Sequence, residues 1–254
     1  MTVKELYTEF STIIPEHLRE SWDNDGIMCC ADGTAEVSRV LLALDVTESI
    51  VDYAIEQSFD LIISHHPLIF KPLSSIDEEN HVARKIIKLI GSGISVFSFH
   101  TRLDKLIGGV NDQLAELLDI RAVEPFGDDN LGRIGYIEEP MDLQDFAYRV
   151  KQITGSDVVK YADGLSDVHK VALVGGDGKG YVKAAIEEGA DTYISGRIGY
   201  NVMEEATEMG INLIEAGHYF TEHHITEFFA ETLYSLDPTI YVETQNSNLI
   251  KTIT

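Results

Sequence analysis

Two stretches of this chain follow one plan at an offset of 131 residues. AIEQSFDLIISHH, Ala54–His66, aligns with AIEEGADTYISGR, Ala185–Arg197, and Ala, Ile, Glu, Asp, Ile and Ser recur at matching places. Val40 and Leu42 meet Val171 and Leu173 at the same offset. Each stretch reads as strand, helix, strand, the unit of a parallel sheet. The fold class expected is therefore α/β, with two related α/β domains. Chance likeness between two ordinary strand–helix–strand units is the competing reading.

Taken in order, Leu6, Phe10, Ile13 and Ile14 have helical spacing over residues 3–14. SWDNDGIMCC follows as a loop of turn formers with the chain's single tryptophan, Trp22. Residues 37–44 read as a buried strand, 48–57 as a helix, and Leu61 to Ile63 as the end of a second strand. A helix over 79–90, the strand ISVFSFH, and a helix capped by Asn111 or Asp112 and running to Leu118 complete the first half. VEPFGDDNLGR, residues 123–133, reads as the boundary. The domains expected are 1–124 with 224–254, and 125–223. The second holds strand-like RIGYIEE, a helix over 142–153, strand-like DVVKYA, the repeat, a strand at Ile211–Ile214 and a helix starting at His218.

Histidine stands after strand after strand. His65 and His66 follow LII, His100 ends ISVFSFH, and His218 follows INLIEAG. In open α/β sheets the carboxyl ends of the strands form the ligand-binding edge. Asp104 lies four residues beyond His100, and Glu222 four beyond His218. Four imidazoles and two carboxylates exceed what a single zinc ion needs and suit two divalent ions, with Glu222 the best bridge. The mixed N and O donors admit zinc, manganese, iron, cobalt or nickel. The sequence contains neither HExxH nor CxxC. GGDGKG, Gly175–Gly180, is either a plain tight turn or an anion contact through backbone N–H groups.

The chain has 43 acidic and 19 basic side chains, a net charge of −24 over 254 residues. Such a surface repels a phosphate backbone, so nucleic acid is not an expected partner. A small anion remains admissible, because bound cations reverse the local field. No run approaches the length of a membrane span, and MTVKELYTEF has no apolar signal core. Cys29 and Cys30 are adjacent and form no disulfide framework, so a cytoplasmic location is expected.

WDNDG, SHHPLIF, HTRLDKLIGGVND, VALVGGDG and EAGHYFTE occur in this order along nearly the whole chain. In these motifs the chain resembles the dinuclear-metal proteins called GTP cyclohydrolase 1 type 2 homologues, the NIF-three-like family. The resemblance implies a metal site in the cleft between two α/β domains and a ring-shaped homohexamer. Longer members carry an inserted middle domain, which this chain is expected to lack. His65, His66, Asp104, His218 and Glu222 match the family's metal ligands. His100 matches a nearby histidine, a further ligand or a proton carrier. The function implied is metal-dependent hydrolysis of a small nucleotide-like substrate, at C8 of the guanine ring in the case of GTP. Arg197, Gly176 and Gly178 are the expected substrate contacts. The alternative is a non-catalytic metallochaperone or regulatory scaffold. One departure stands out. The family often has Thr-Gly-Asp followed by His where this chain reads SGRIGYN, with Arg197 and Asn201.

Overall fold

The computed structural model describes residues 1–253. The chain divides into two compact α/β units, the first Met1–Leu103 with Ile225–Leu249, the second chiefly Asp104–His224.

In chain order the first unit contains α1 (Val3–Ile13), β1 (Gly26–Cys29), β2 (Arg39–Ala43), α2 (Glu48–Glu56), β3 (Leu61–Ser64), α3 (His81–Gly91), β4 (Ser95–Ser98) and the start of α4 (Thr101–Lys105). The second contains α5 (Val110–Leu117), β5 (Arg121–Phe126), β6 (Gly132–Met141), α6 (Leu143–Thr154), β7 (Lys160–Ala162), β8 (Val168–Val174), α7 (Val182–Glu187), β9 (Thr192–Ser195), α8 (Tyr200–Glu208) and β10 (Asn212–Glu215). The chain then returns to the first unit as α9 (Ile225–Leu236) and β11 (Tyr241–Thr244).

The first sheet has the order β1-β4-β3-β2-β11. Only β1 is antiparallel to its neighbour. Parallel strands are buried on both faces, and β3 and β4 are buried at every residue. On one face Ile50, Val51 and Ala54 of α2 and Ile86 and Leu89 of α3 pack with Leu41, Ile62 and Val96. On the other, Phe10 of α1 and Phe229 of α9 meet Phe99, with ring centroids 5.3 and 5.9 Å away. The helices begin where polar side chains accept their first N–H groups: Thr2 for α1, Thr47 for α2 and Asn80 for α3.

The second sheet has the order β5-β6-β8-β9-β10-β7, with β8, β9 and β10 parallel to one another. Phe146, Ala147 and Val150 of α6 cover one face. Val182 and Ala185 of α7 and Ala206 of α8 cover the other.

The repeat is structural. Val40 pairs with Leu61 in the first sheet, and Val171 with Thr192, each 131 residues later, in the second. Asp60 accepts the backbone N–H groups of Ser38 and Arg39, and Asp191 accepts those of His169 and Lys170. The same carboxylate thus ties the strand starts together in both units, so the two α/β domains are related.

Three local expectations change. Residues 123–133 lie in the β5–β6 hairpin, whose strands pair Phe126 with Gly132. Gly109 precedes α5 without a side-chain cap; Asp112 instead accepts from the Gly108 N–H, and Asn111 from that of Gly175. His218 opens only a single 3-10 turn, Tyr219–Thr221, and the helix proper starts at Ile225.

Candidate metal centre

In the first unit β3 and β4 run side by side, pairing Ser64 with Ser98, so their next residues emerge at one sheet edge. His65 and His66 follow β3 directly, and His100 lies two residues beyond β4. The three ring centroids are 5.0, 5.3 and 5.7 Å apart. One ring nitrogen from each lies within 4.8 Å of the others.

Every one of these rings is held by Nδ1. The buried His65 donates Nδ1–H to the Phe99 carbonyl at 2.9 Å. His66 Nδ1 is 2.7 Å from Asp45 Oδ1, and His100 Nδ1 is 2.7 Å from Asp23 Oδ1. A hydrogen bond at Nδ1 fixes the tautomer, so that Nε2 is the ring nitrogen a metal would take. Asp45 is held by the Ser247 hydroxyl at 3.3 Å. Asp23 also accepts from the Thr101 hydroxyl at 2.6 Å and its N–H at 3.1 Å. Burial pushes the Asp23 carboxyl up, but the His100 bond and charge and the Thr101 bonds outweigh it and hold the carboxyl at about 2.

The sequence marks Asp23 as a turn former in a loop that is either structural or a direct ligand, and gives Asp45 no role. Both sit among turn formers, and the spacing that would reveal them is set by the sheet. Trp22 of this loop faces outward. It is 61% exposed, and its ring stands edge-on near His100 and Phe70, with centroids 6.3 and 6.2 Å away. The loop is fixed by Asp23 and by Asp25, which binds Arg102.

The second unit brings together Asp104, His218 and Glu222. His218 Nε2 lies 3.1 Å from Glu222 Oε2, and the Glu222 side chain is 6% exposed. Asp104, on α4, offers a carboxylate oxygen within 4.8 Å of one from Glu222.

Gly176 borders this group. A Cβ there would lie 2.1 Å from Glu222 Oε1 and 3.1 Å from His218 Nε2, and its φ of +60° favours glycine. Gly196, which replaces the first unit's histidine at the matching repeat position, is equally confined; its Cβ would lie 2.7 Å from the His218 Cα. The N–H groups of Gly175, Gly176 and Gly178 are engaged by Asn111, Thr221 and Ser195. The turn's outward cations are Lys179 and the largely exposed Arg197, both facing Asp177. An anion approaching this turn meets those side chains, with three of the turn's six N–H groups already engaged.

Residues 1–252 match the family model described as Duf34/NIF3 (NGG1p interacting factor 3). A GTP cyclohydrolase 1 type 2 homolog of Clostridium acetobutylicum is 34% identical over 233 residues, covering 87% of this chain and 85% of the relative. The Protein NIF3 homolog of Schizosaccharomyces pombe is 33% identical over 222 residues, covering 81% and 79%. Among solved structures, the Staphylococcus aureus hypothetical protein SA1388 superposes with a TM-score of 0.88 at 27% identity, covering 100% of this chain and 99% of the other. With its two related α/β units and strand-end histidines, the chain belongs to the Duf34/NIF3 family.

Proposed function

We propose that the protein is a metal-dependent hydrolase of a small nucleotide-like molecule, and that His65, His66, Asp104, His218 and Glu222 hold two divalent ions. The observation that carries this reading is the common orientation of the three histidines. Their Nδ1 atoms are tied by Phe99, Asp45 and Asp23, which makes Nε2 the nitrogen proposed for ligation or proton transfer. The Asp104–His218–Glu222 group adds the oxygen donors that two ions share. These donors fit zinc, manganese, iron, cobalt or nickel. Such ions supply an acidified water and a Lewis-acid contact for a substrate oxygen or ring nitrogen.

His100 is the residue proposed to move the proton. Asp23 holds its Nδ1–H, stabilises the imidazolium formed when Nε2 takes a proton, and keeps the ring from turning. Trp22 and Phe70, both exposed and edge-on to His100, offer apolar surface to a planar heterocycle such as a nucleotide base. For GTP the reaction would be hydrolytic opening of the imidazole ring at C8. Arg197, with Gly176 and Gly178 in the turn beside it, forms the remaining proposed contact surface for substrate. A metal-loaded screen against nucleotides and small phosphate or amide compounds, run beside Glu222→Ala, tests the reading. Turnover that disappears in the variant is expected. Tight ion binding without turnover across the panel, together with a reproducible protein partner, would replace it with the metallochaperone or scaffold reading.

We also propose a homohexamer in the cytoplasm. No helix among the described residues is long and apolar enough to cross a membrane. The net charge of −24 opposes self-association unless acidic groups avoid the contacts or salt screens them. Multi-angle light scattering at micromolar protein is expected to give six chain masses, and a single-chain mass rules the hexamer out.

A further inference from the structure

The helix α3, HVARKIIKLIG, carries Arg84, Lys85 and Lys88 and no acidic residue, in a chain where acids outnumber bases 43 to 19. Arg84 and Lys85 are its fourth and fifth residues. They line a pocket of about 400 Å³ in the first unit, together with Asp45, Glu48, His66 and His81. That volume is in the range of small-molecule sites. Its wall therefore includes both a proposed metal ligand, His66, and the carboxylate that orients it, Asp45.

The acids on this wall already have partners. Glu48 takes the Lys88 ammonium at 2.7 Å and faces Arg84 Nε at 3.4 Å. Asp45 bonds His66 and Ser247. The cations retain donors. Lys85 Nζ makes one hydrogen bond, to the Val46 carbonyl at 2.5 Å, and an ammonium has three protons to give. Arg84 donates through Nη1 to the Glu78 carbonyl, and its Nη2 meets no acceptor among the described residues. Lys85 is half-buried, and desolvation, partly offset by Glu48 and Asp45, draws its ammonium below the usual lysine range. An anion arriving in the pocket would restore what burial removes.

We infer that this pocket is the subsite for a phosphoryl group of the substrate, bound by Arg84 and Lys85 and delivered beside His66. The inference deepens the hydrolase reading by placing the charged end of the substrate, and it rests on that reading for its catalytic meaning. It assigns the phosphoryl group to α3 and not to the Gly175–Gly180 turn, where the N–H groups of Gly175, Gly176 and Gly178 are already engaged.

The test is calorimetric titration of inorganic pyrophosphate into chelator-stripped protein, so that no ion carries the binding. Wild type is expected to bind saturably, and Arg84→Gln and Lys85→Gln each to weaken binding about tenfold, the loss of one charge-assisted hydrogen bond. Lys179→Gln should bind as wild type. As a measurement needing no variant, pyrophosphate should protect Lys85 of the wild-type chain from acetylation, read by mass spectrometry. No saturable binding, unchanged affinity in folded Arg84→Gln and Lys85→Gln, absent protection, or equal binding of citrate would overturn the assignment. Ion content is measured separately. Pyrophosphate binding by a chain that takes up no ions leaves the pocket standing and removes the two-ion reading, and ion uptake without pyrophosphate binding does the reverse.

Discussion

Glu222→Ala is expected to reduce metal uptake, from the proposed two ions per chain to one or none. The Glu222 side chain is 6% exposed and its Oε2 lies 3.1 Å from His218 Nε2. It also shares close range with an Asp104 oxygen. It is the one residue of the second unit's group set beside both of the others, so its loss removes the oxygen best placed to serve two ions. The effect should exceed the roughly 10- to 100-fold in affinity that losing an outer hydrogen-bond partner costs. Asp45→Asn is the matching outer-partner variant, because Asp45 touches His66 only at Nδ1. Glu222→Gln keeps the shape and one carbonyl oxygen and should fall between. Elemental analysis of reloaded, desalted protein reads all three. Equal ion content in wild type and Glu222→Ala would remove Glu222 from the ligand set. The metal-free variants should unfold at denaturant midpoints close to wild type, which separates ligand loss from misfolding.

Parts of this architecture can be read from the chain because they depend on local pattern. The strand before His65 opens on three apolar residues, Leu61 to Ile63, and a small Ser64 completes a strand buried on both faces. The repeat is visible because Asp60 and Asp191 perform the same task and stand at the same place in it. What escapes the sequence depends on partners distant in the chain. Asp23 and Asp45 reach histidines 77 and 21 residues away. Nothing in DNDG or in LDVT distinguishes a carboxylate that orients a ring from one that shapes a turn. The β5–β6 hairpin is hidden for a related reason: FGDDNLG has the composition of a linker, and only the pairing of its flanks with each other and of β6 with β8 makes them a sheet. The GGDGKG turn follows its strand as read, but the spending of its N–H groups on Asn111, Thr221 and Ser195 could not be foreseen. Two fully buried arginines, Arg102 and Arg133, were equally hidden, since an arginine beside turn residues ordinarily stays in water.

Arg102→Leu is expected to destabilise the protein by about 3–5 kcal/mol at neutral pH, the usual cost of breaking a buried ion pair from one side. Arg102 and Asp25 have fully buried side chains, with Nε 2.9 Å from Oδ2. The guanidinium also donates to the Ile14 carbonyl at 3.0 Å and lies 4.7 Å from the centre of the Phe99 ring. Leucine fills part of the space but removes the closer of two cations on Asp25, leaving its buried carboxylate to Arg19 Nη1 at 3.5 Å and the His100 N–H at 3.3 Å. The pH dependence follows. Burial raises the Asp25 carboxyl above its ordinary 3.8, with Asp23 adding to the rise and Arg102 opposing it. A carboxyl raised on folding favours the folded chain below its unfolded pKa and loses that contribution as pH climbs through the folded value. Removing Arg102 lifts the folded value further, so the penalty should be smallest below pH 3.8 and grow toward neutrality. Asp23, held at about 2, works in the opposite sense: its contribution is present above its unfolded pKa and fades as pH falls through the folded value. It is common to both proteins and cancels in the difference. Urea unfolding from acid to neutral pH reads the effect, and Asp25→Asn with Arg102→Leu completes a double-mutant cycle. The double variant should recover stability relative to Arg102→Leu at neutral pH, because the stranded charge is gone. A penalty independent of pH, with no recovery in the double variant, would show that Arg102 acts through its packing and carbonyl contacts and not through Asp25.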